Sequence, residues 1–127
     1  MGPIMYFIPY HLCHFEVHHS IARAVLFDDP TLAPGGGPRV ELITTAKRDL
    51  VVGEKLDGFG GFMSYGQAEN ANIVARDRLL PMGLSENCRL KHAIPKDQVL
   101  TYDDVDIPSG RLIDRLRTEQ SKYFASV

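Results

Sequence analysis

The densest run of chemistry-bearing side chains is His11, His14, His18 and His19, with Cys13 and Glu16 between them. Neutral imidazoles presented together are the donors that zinc, nickel and copper sites use. If residues 11–19 are helical, His11, His14 and His18 share one face and become the candidate metal ligands. The pattern stops short of a zincin motif, which needs a glutamate directly after the first histidine. A closed site also needs a fourth ligand and outer acceptors to orient the rings. The competing expectation is a set of polar or interface histidines.

A ligand site is expected in residues 57–70. This stretch combines backbone freedom at Gly58, Gly60, Gly61 and Gly66 with the aromatic rings of Phe59, Phe62 and Tyr65. Asp57, Tyr65, Glu69 and Asn70 supply hydrogen-bonding groups, with Gln67 beside them. Loops of this make-up carry function more often than the elements they connect. The alternative is a glycine-rich crossover whose aromatics plug the end of a barrel.

Other chemistries lack their parts. Ser64 and Ser85 have no Gly-x-Ser-x-Gly setting. Cys13 lies between histidines that could lower its pKa, but nothing nearby suggests an oxyanion hole. Asp103, Asp104 and Asp106 lack EF-hand spacing and read as a solvated turn. A dinucleotide site needs Gly-x-Gly-x-x-Gly between a strand and a helix, so that the backbone can approach the pyrophosphate. Gly58-Phe59-Gly60-Gly61-Phe62-Met63 has methionine at the third glycine position, and Gly35-Gly36-Gly37 runs into Pro38. The chain is expected to bind no cofactor alone.

The elements that must position these residues follow from periodicity. Ser20 can cap a helix running to about Phe27, since Ile21, Ala24 and Val25 form one stripe that ends before Asp28-Asp29-Pro30, and the helix could begin as early as His11. Residues 1–31 are therefore an N-terminal helical segment. Residues 32–38, rich in proline and glycine, form a linker. From Val40 to Ala46 the alternation and β-branching indicate a strand with one mainly apolar face. Gly53 marks a turn. Residues 109–127 carry the final helix, capped by Ser109 and running over about 110–124. Its expected buried side holds Leu112, Ile113, Leu116, Gln120, Tyr123 and Phe124, with Asp114–Arg117 and Arg115–Glu119 pairing outside.

One internal echo stands out. Lys47-Arg48-Asp49-Leu50-Val51-Val52-Gly53-Glu54-Lys55-Leu56 aligns with Lys91-His92-Ala93-Ile94-Pro95-Lys96-Asp97-Gln98-Val99-Leu100. Both have a basic pair, an aliphatic residue, a polar turn and a closing leucine. Two copies of one strand–turn–strand unit, each with an exposed apolar face, would bury both faces by pairing.

With 127 residues the chain fits one domain. Its net charge of −2 argues against a nucleic-acid footprint, which needs a clustered basic face. Two cysteines make no disulfide framework. No run approaches the ~20 apolar residues of a membrane span, and no basic secretory n-region precedes the apolar start. A cytoplasmic protein with no membrane partner is expected.

The hairpin segments Asp49-Leu50-Val51-Val52-Gly53-Glu54-Lys55-Leu56 and Ile94-Pro95-Lys96-Asp97-Gln98-Val99-Leu100-Thr101-Tyr102-Asp103-Asp104-Val105 resemble the signature of the SAF domain, the antifreeze-like β-clip module. Further segments, among them Pro9-Tyr10-His11-Leu12-Cys13-His14-Phe15-Glu16-Val17, Leu80-Pro81-Met82-Gly83-Leu84 and Pro108-Ser109-Gly110-Arg111-Leu112, resemble a narrower group. These are the C-terminal regions of NAD(P)-dependent oxidoreductases related to homoserine dehydrogenase, including deoxyxylulose-phosphate-reductoisomerase-like enzymes. The likeness runs from about Pro9 to about Phe124. It implies an α+β fold, mainly β with flanking helices, in which residues 39–108 form a β-clip of about six to eight short strands.

The resemblance also implies an accessory role, in assembly or substrate-site closure. The NAD(P) would then be held by a partner catalytic domain or subunit, and a homo-oligomer fits the same picture. SAF domains also occur in sialic-acid synthases and sugar-acid dehydratases, so an independent module binding a sugar acid or polyol is a second expectation. A small metal-dependent enzyme using the His11–His19 cluster is a third. The antifreeze-like label says nothing about ice.

Overall fold

The computed structural model describes residues 13–30, 32–33 and 36–125. The chain divides into two compact units, Met1–Gly35 and Gly36–Val127.

The first unit contains helix α1, Cys13–Phe27. Asp28 takes a left-handed backbone conformation (φ 50°), and the N–H of Asp29 reaches back to the Arg23 carbonyl at 3.3 Å. The Arg23 side chain pairs with Asp29, and Pro30 bars continuation. Val17, Ile21 and Val25 recur every four residues, and within this unit all three are exposed, as are Leu26 and Phe27.

The second unit is a small α+β domain. Strand β1, Val40–Ala46, pairs antiparallel with β2, Ser64–Asn70, in a register that sets Thr44 opposite Gly66. The opposite edge of β1 bonds the chain on either side of residue 90: Thr44 N–H donates to the Leu80 carbonyl (2.9 Å), and Ala46 N–H to that of Gln98 (2.9 Å). β1 is therefore central. Ile43, Thr44, Thr45 and Ala46 are all buried, which corrects the one-faced strand expected from alternation. At Gly66 a Cβ would lie 2.6 Å from the Leu42 side chain, so any larger residue there requires Leu42 to shift.

Helix α2, Ala71–Arg76, follows β2 directly. Two residue pairs, β3 (Arg89–Leu90) and β4 (Val105–Asp106), form a second antiparallel sheet, and helix α3 spans Leu112–Ala125. Among the described residues there are four strands, fewer than expected, with five isolated bridges in place of the rest. Pro81 takes part in one bridge and Pro95 directly follows another at Ile94; lacking N–H groups, they cannot extend a ladder.

The internal echo has a structural counterpart. Leu50 and Ile94 exchange hydrogen bonds, N–H to carbonyl, at 2.8 and 2.9 Å. At the same shift of 44 residues, Ala46 N–H to Gln98 O is matched by Leu90 N–H to Glu54 O, both 2.9 Å. Asp97 N–H to Ala46 O is matched by Gly53 N–H to Leu90 O, both 2.8 Å. Leu56 N–H to Cys88 O (2.8 Å) is matched by Leu100 N–H to Thr44 O (2.9 Å). The turn residues Gly53 (φ 83°) and Asp97 (φ 65°) share the left-handed region. The two hairpins are thus related by an approximate two-fold exchange. Leu50, Leu56, Leu90, Ile94 and Leu100 are buried together in one cluster with Leu80, Leu84, Cys88 and Val105.

Helix α3 leaves most of its expected buried side exposed, Phe124 excepted. Leu112, Leu116 and Tyr123 are 57%, 51% and 65% exposed, and Ile113 is exposed too. The attached side is polar. Arg111, just before the helix, donates to the carbonyls of Glu86 (2.8 Å) and Leu84 (3.0 Å) and makes two 2.7 Å bonds to Asp114. Arg117 does not pair with Asp114 as expected; it reaches Glu41 of β1 at 2.5 Å. The expected Arg115–Glu119 pair is present at 3.7 Å. Phe124 lies against Gly37, whose absent Cβ would be 2.9 Å from the ring. The hydrogen-bonding demand of arginines beside open carbonyls outweighs helical periodicity in choosing the face.

Candidate functional site

Residues 57–70 do not form one ligand-binding loop. Residues 64–70 are strand β2, placed by pairing with β1. Asp57 lies before this strand, Tyr65 at its start, and Glu69 and Asn70 at its end. At roughly 3.3 Å per residue, Tyr65 and Glu69 stand about 13 Å apart. The four candidates are not brought together.

Each has a local task. The Asp57 carboxylate accepts the backbone N–H of Phe62 (2.6 Å) and of Met63 (3.2 Å), closing the loop between them. Lys47 Nζ ties the same loop down through the Gly61 carbonyl (2.9 Å). The loop is therefore braced rather than free. Its rings do not plug the barrel end, since Phe59 and Phe62 are 69% and 84% exposed. The Tyr65 hydroxyl donates to Asp97 (3.3 Å), and burial, followed by the Asp97 charge, raises its pKa. Glu69 accepts the N–H of Asn70 (2.7 Å), and Asn70 precedes α2 without a capping bond from its side chain.

The brace makes Gly61 sensitive. A Cβ there would sit 2.2 Å from the Asp57 carboxylate, which would have to leave both N–H groups. Gly61→Ala should lower stability by about 0.5–1.5 kcal/mol, the net worth of an ordinary hydrogen bond, since the released Phe62 N–H is exposed and can be hydrated. Amide exchange at Phe62 and Met63 should accelerate in this variant. Unchanged protection of both amides would show that the carboxylate is not what closes the loop.

The histidine candidates fall partly outside the described residues. His11 lies outside them. His14 and His18 are one turn apart on α1, and the exposed His18 ring lies against that of His19 with centroids 4.2 Å apart. Among the described residues no group of three His, Cys, Asp or Glu side chains could hold a metal ion. The acidic turn is committed elsewhere: Asp104 accepts both N–H and Oγ1–H of Thr101 (2.8 and 2.7 Å), Asp103 pairs with Arg78, and Asp106 faces Lys91. Ser64 and Ser85 are buried, and Ser85 donates to the Met82 carbonyl (2.9 Å). Cys88 is buried, donates to the Leu84 carbonyl (3.2 Å), and has its thiol pKa raised by that burial.

A cleft of about 520 Å³ lies beside α3. That falls within the roughly 300–1,000 Å³ of small-molecule sites. Its cations are Arg78, Arg117 and Lys122; its hydroxyls belong to Tyr102, Thr118 and Ser121; Leu84 and Ile107 form apolar wall. Asp114 is its one carboxylate, and Arg111 holds it by two bonds. Burial raises the Tyr102 pKa, Arg117 opposing and Glu41 and Asp114 adding, so the phenol stays protonated near neutral pH. Sequence reasoning missed this cleft. Arg78, Tyr102 and Lys122 come from three distant points of the chain, and only the resemblance around Arg111 pointed to the region.

No protein-family model matches the chain, and no curated protein matches it. Among the described residues, no helix is long and apolar enough to cross a membrane.

Proposed function

We propose that this chain is an accessory module of the SAF, β-clip type, serving the assembly or substrate-site closure of an NAD(P)-dependent oxidoreductase whose nicotinamide is held by another domain or subunit. The observation that carries the reading is the exposed apolar side of α3. Leu112, Ile113 and Leu116 are exposed while Arg111 and Arg117 hold the same helix to the β unit. An apolar stripe left open on an otherwise anchored helix suits docking onto a further protein surface. The paired hairpins support the β-clip part of the reading, because a duplicated, mutually hydrogen-bonded strand–turn–strand pair is what the resemblance leads one to expect.

The test is direct. The purified chain is mixed with the NAD(P)-dependent catalytic polypeptide from the same organism and followed by sedimentation and by nicotinamide absorbance. A complex should form and turnover should rise. Leu112→Glu with Leu116→Glu, both at exposed positions, should dissociate that complex without unfolding the domain. Absence of association together with unchanged turnover overturns the reading. So does a contaminant-free preparation of this chain that turns over a substrate with a nicotinamide unaided.

A further inference from the structure

One row of side chains on the second sheet breaks a rule of strand pairing. Lys55 is bridged antiparallel to Arg89, and Arg89 is paired with Asp106 of β4. Directly opposed residues point to one face, with Cβ atoms about 4.5–5.5 Å apart. Lys91, two positions beyond Arg89, returns to the same face, and its Nζ lies 3.7 Å from the Asp106 carboxylate. The alternate residues Leu56, Leu90 and Val105 are buried beneath, while Lys55, Arg89, Lys91 and Asp106 are exposed. Like charges set directly opposite destabilise a sheet. Yet neither Lys55 nor Arg89 makes an ion pair among the described residues. Glu54 alternates to the other side and is held by Arg48 at 2.8 Å. One Arg89 N–H donates to the Gly53 carbonyl (2.7 Å), which holds the guanidinium beside the turn with its other donors open.

The fold does not demand this arrangement. At the shift of 44 residues that relates the hairpins, the counterpart of the Lys55–Arg89 bridge is Thr45–Val99, and Tyr65 stands where Asp106 does. That row is uncharged, and Thr45 is buried. We infer that the Lys55–Arg89–Lys91 face docks an acidic segment of a partner protein, whose carboxylates relieve the repulsion between the paired cations. Charge complementarity of this kind speeds encounter and selects the partner. A lipid surface fits less well, because polybasic lipid sites gather about four to eight cations and here Asp106 interrupts three. A small free anion fits less well too, because small-molecule sites are concave and this is the face of a sheet. The inference does not depend on docking through α3, since no residue of that helix takes part.

The test titrates the isotope-labelled chain with an octaglutamate peptide, reading backbone amide shifts. Lys55, Arg89 and Lys91 should shift saturably, and the affinity should fall about tenfold as the Debye length shrinks from about 30 to 8 Å with added salt. Lys55→Gln with Arg89→Gln should weaken binding about tenfold or more, and Asp106→Asn should tighten it. Lys55→Glu sets opposite charges across the bridge, so it should abolish binding while raising Tm by about 1–4 °C. Non-saturating shifts overturn the inference, as does equal affinity in the glutamine variant or a fall in Tm in Lys55→Glu. Tighter binding of inorganic phosphate, of phosphatidylserine vesicles or of a DNA duplex at the same amides would show a face that reads phosphate, and overturns it equally.

Discussion

Leu50→Ala and Ile94→Ala should each lower the unfolding free energy by about 2–5 kcal/mol, the range for large-to-small changes at well-packed core positions. The two residues bridge the hairpins by exchanged hydrogen bonds, and both side chains are essentially inaccessible, at 1% and 2%. A small domain has about 5–15 kcal/mol in total, so either change removes a large share of it. The approximate two-fold relation adds a sharper expectation: the two losses should agree within about 1 kcal/mol, because each residue meets the counterpart of the other's surroundings. The double variant should lose less than the sum, since the second truncation enlarges a cavity already opened by the first. Val51→Ala and Val52→Ala, one or two positions away but exposed, should change stability by no more than about 0.5 kcal/mol. Urea unfolding with equal m-values across the set checks this. A loss under about 1 kcal/mol at Leu50 or Ile94 would remove the bridge from the centre of the fold.

The hairpin pair was legible because its signal is local. Gly53 in a left-handed turn, an aliphatic residue three positions earlier and a leucine three positions later repeat at Asp97, Ile94 and Leu100. Strand β1 and the end of helix α1 were legible from periodicity for the same reason, but Ser20 is no cap, because α1 begins at Cys13 and runs through Ser20. Strand β2 was not legible. Tyr65-Gly66-Gln67-Ala68-Glu69-Asn70 contains few strand-forming residues and is extended because β1 offers it an edge. The α3 boundary came within two residues, but of its expected face only Phe124 is packed as read. Periodicity places Leu112, Leu116 and Tyr123 on a stripe without saying whether this chain covers that stripe. The cleft was invisible for a further reason: Arg78 follows α2, Tyr102 follows the second hairpin and Lys122 lies near the end of α3, and no spacing rule relates them.

Arg111→Ala should release the N-terminal half of α3 and lower stability by about 2–3 kcal/mol. The guanidinium satisfies the Leu84 and Glu86 carbonyls and binds Asp114 bidentately, and it is only 19% exposed. Hydrogen bonds to a charged group contribute about 1.5–3 kcal/mol each, reduced here because Asp114 is partly solvated. Arg111→Lys should rescue little, since a point charge cannot span two carbonyls and a carboxylate at once. The loss should be local. Amides over 112–118 should exchange faster, while those of Leu50 and Ile94 keep their protection, and Arg117 should still hold the middle of the helix to Glu41. Cys88 offers an independent readout. Burial raises its thiol pKa and the Arg111 charge opposes that shift, so removing Arg111 by itself should leave less thiolate and slow alkylation at pH 8. Faster iodoacetamide labelling of the Cys88 peptide in Arg111→Ala would therefore report opening of the helix, with the electrostatic change working against it. Unchanged exchange over 112–118, or full function of lysine at this position, would mean that α3 is held by Arg117 and Phe124 alone.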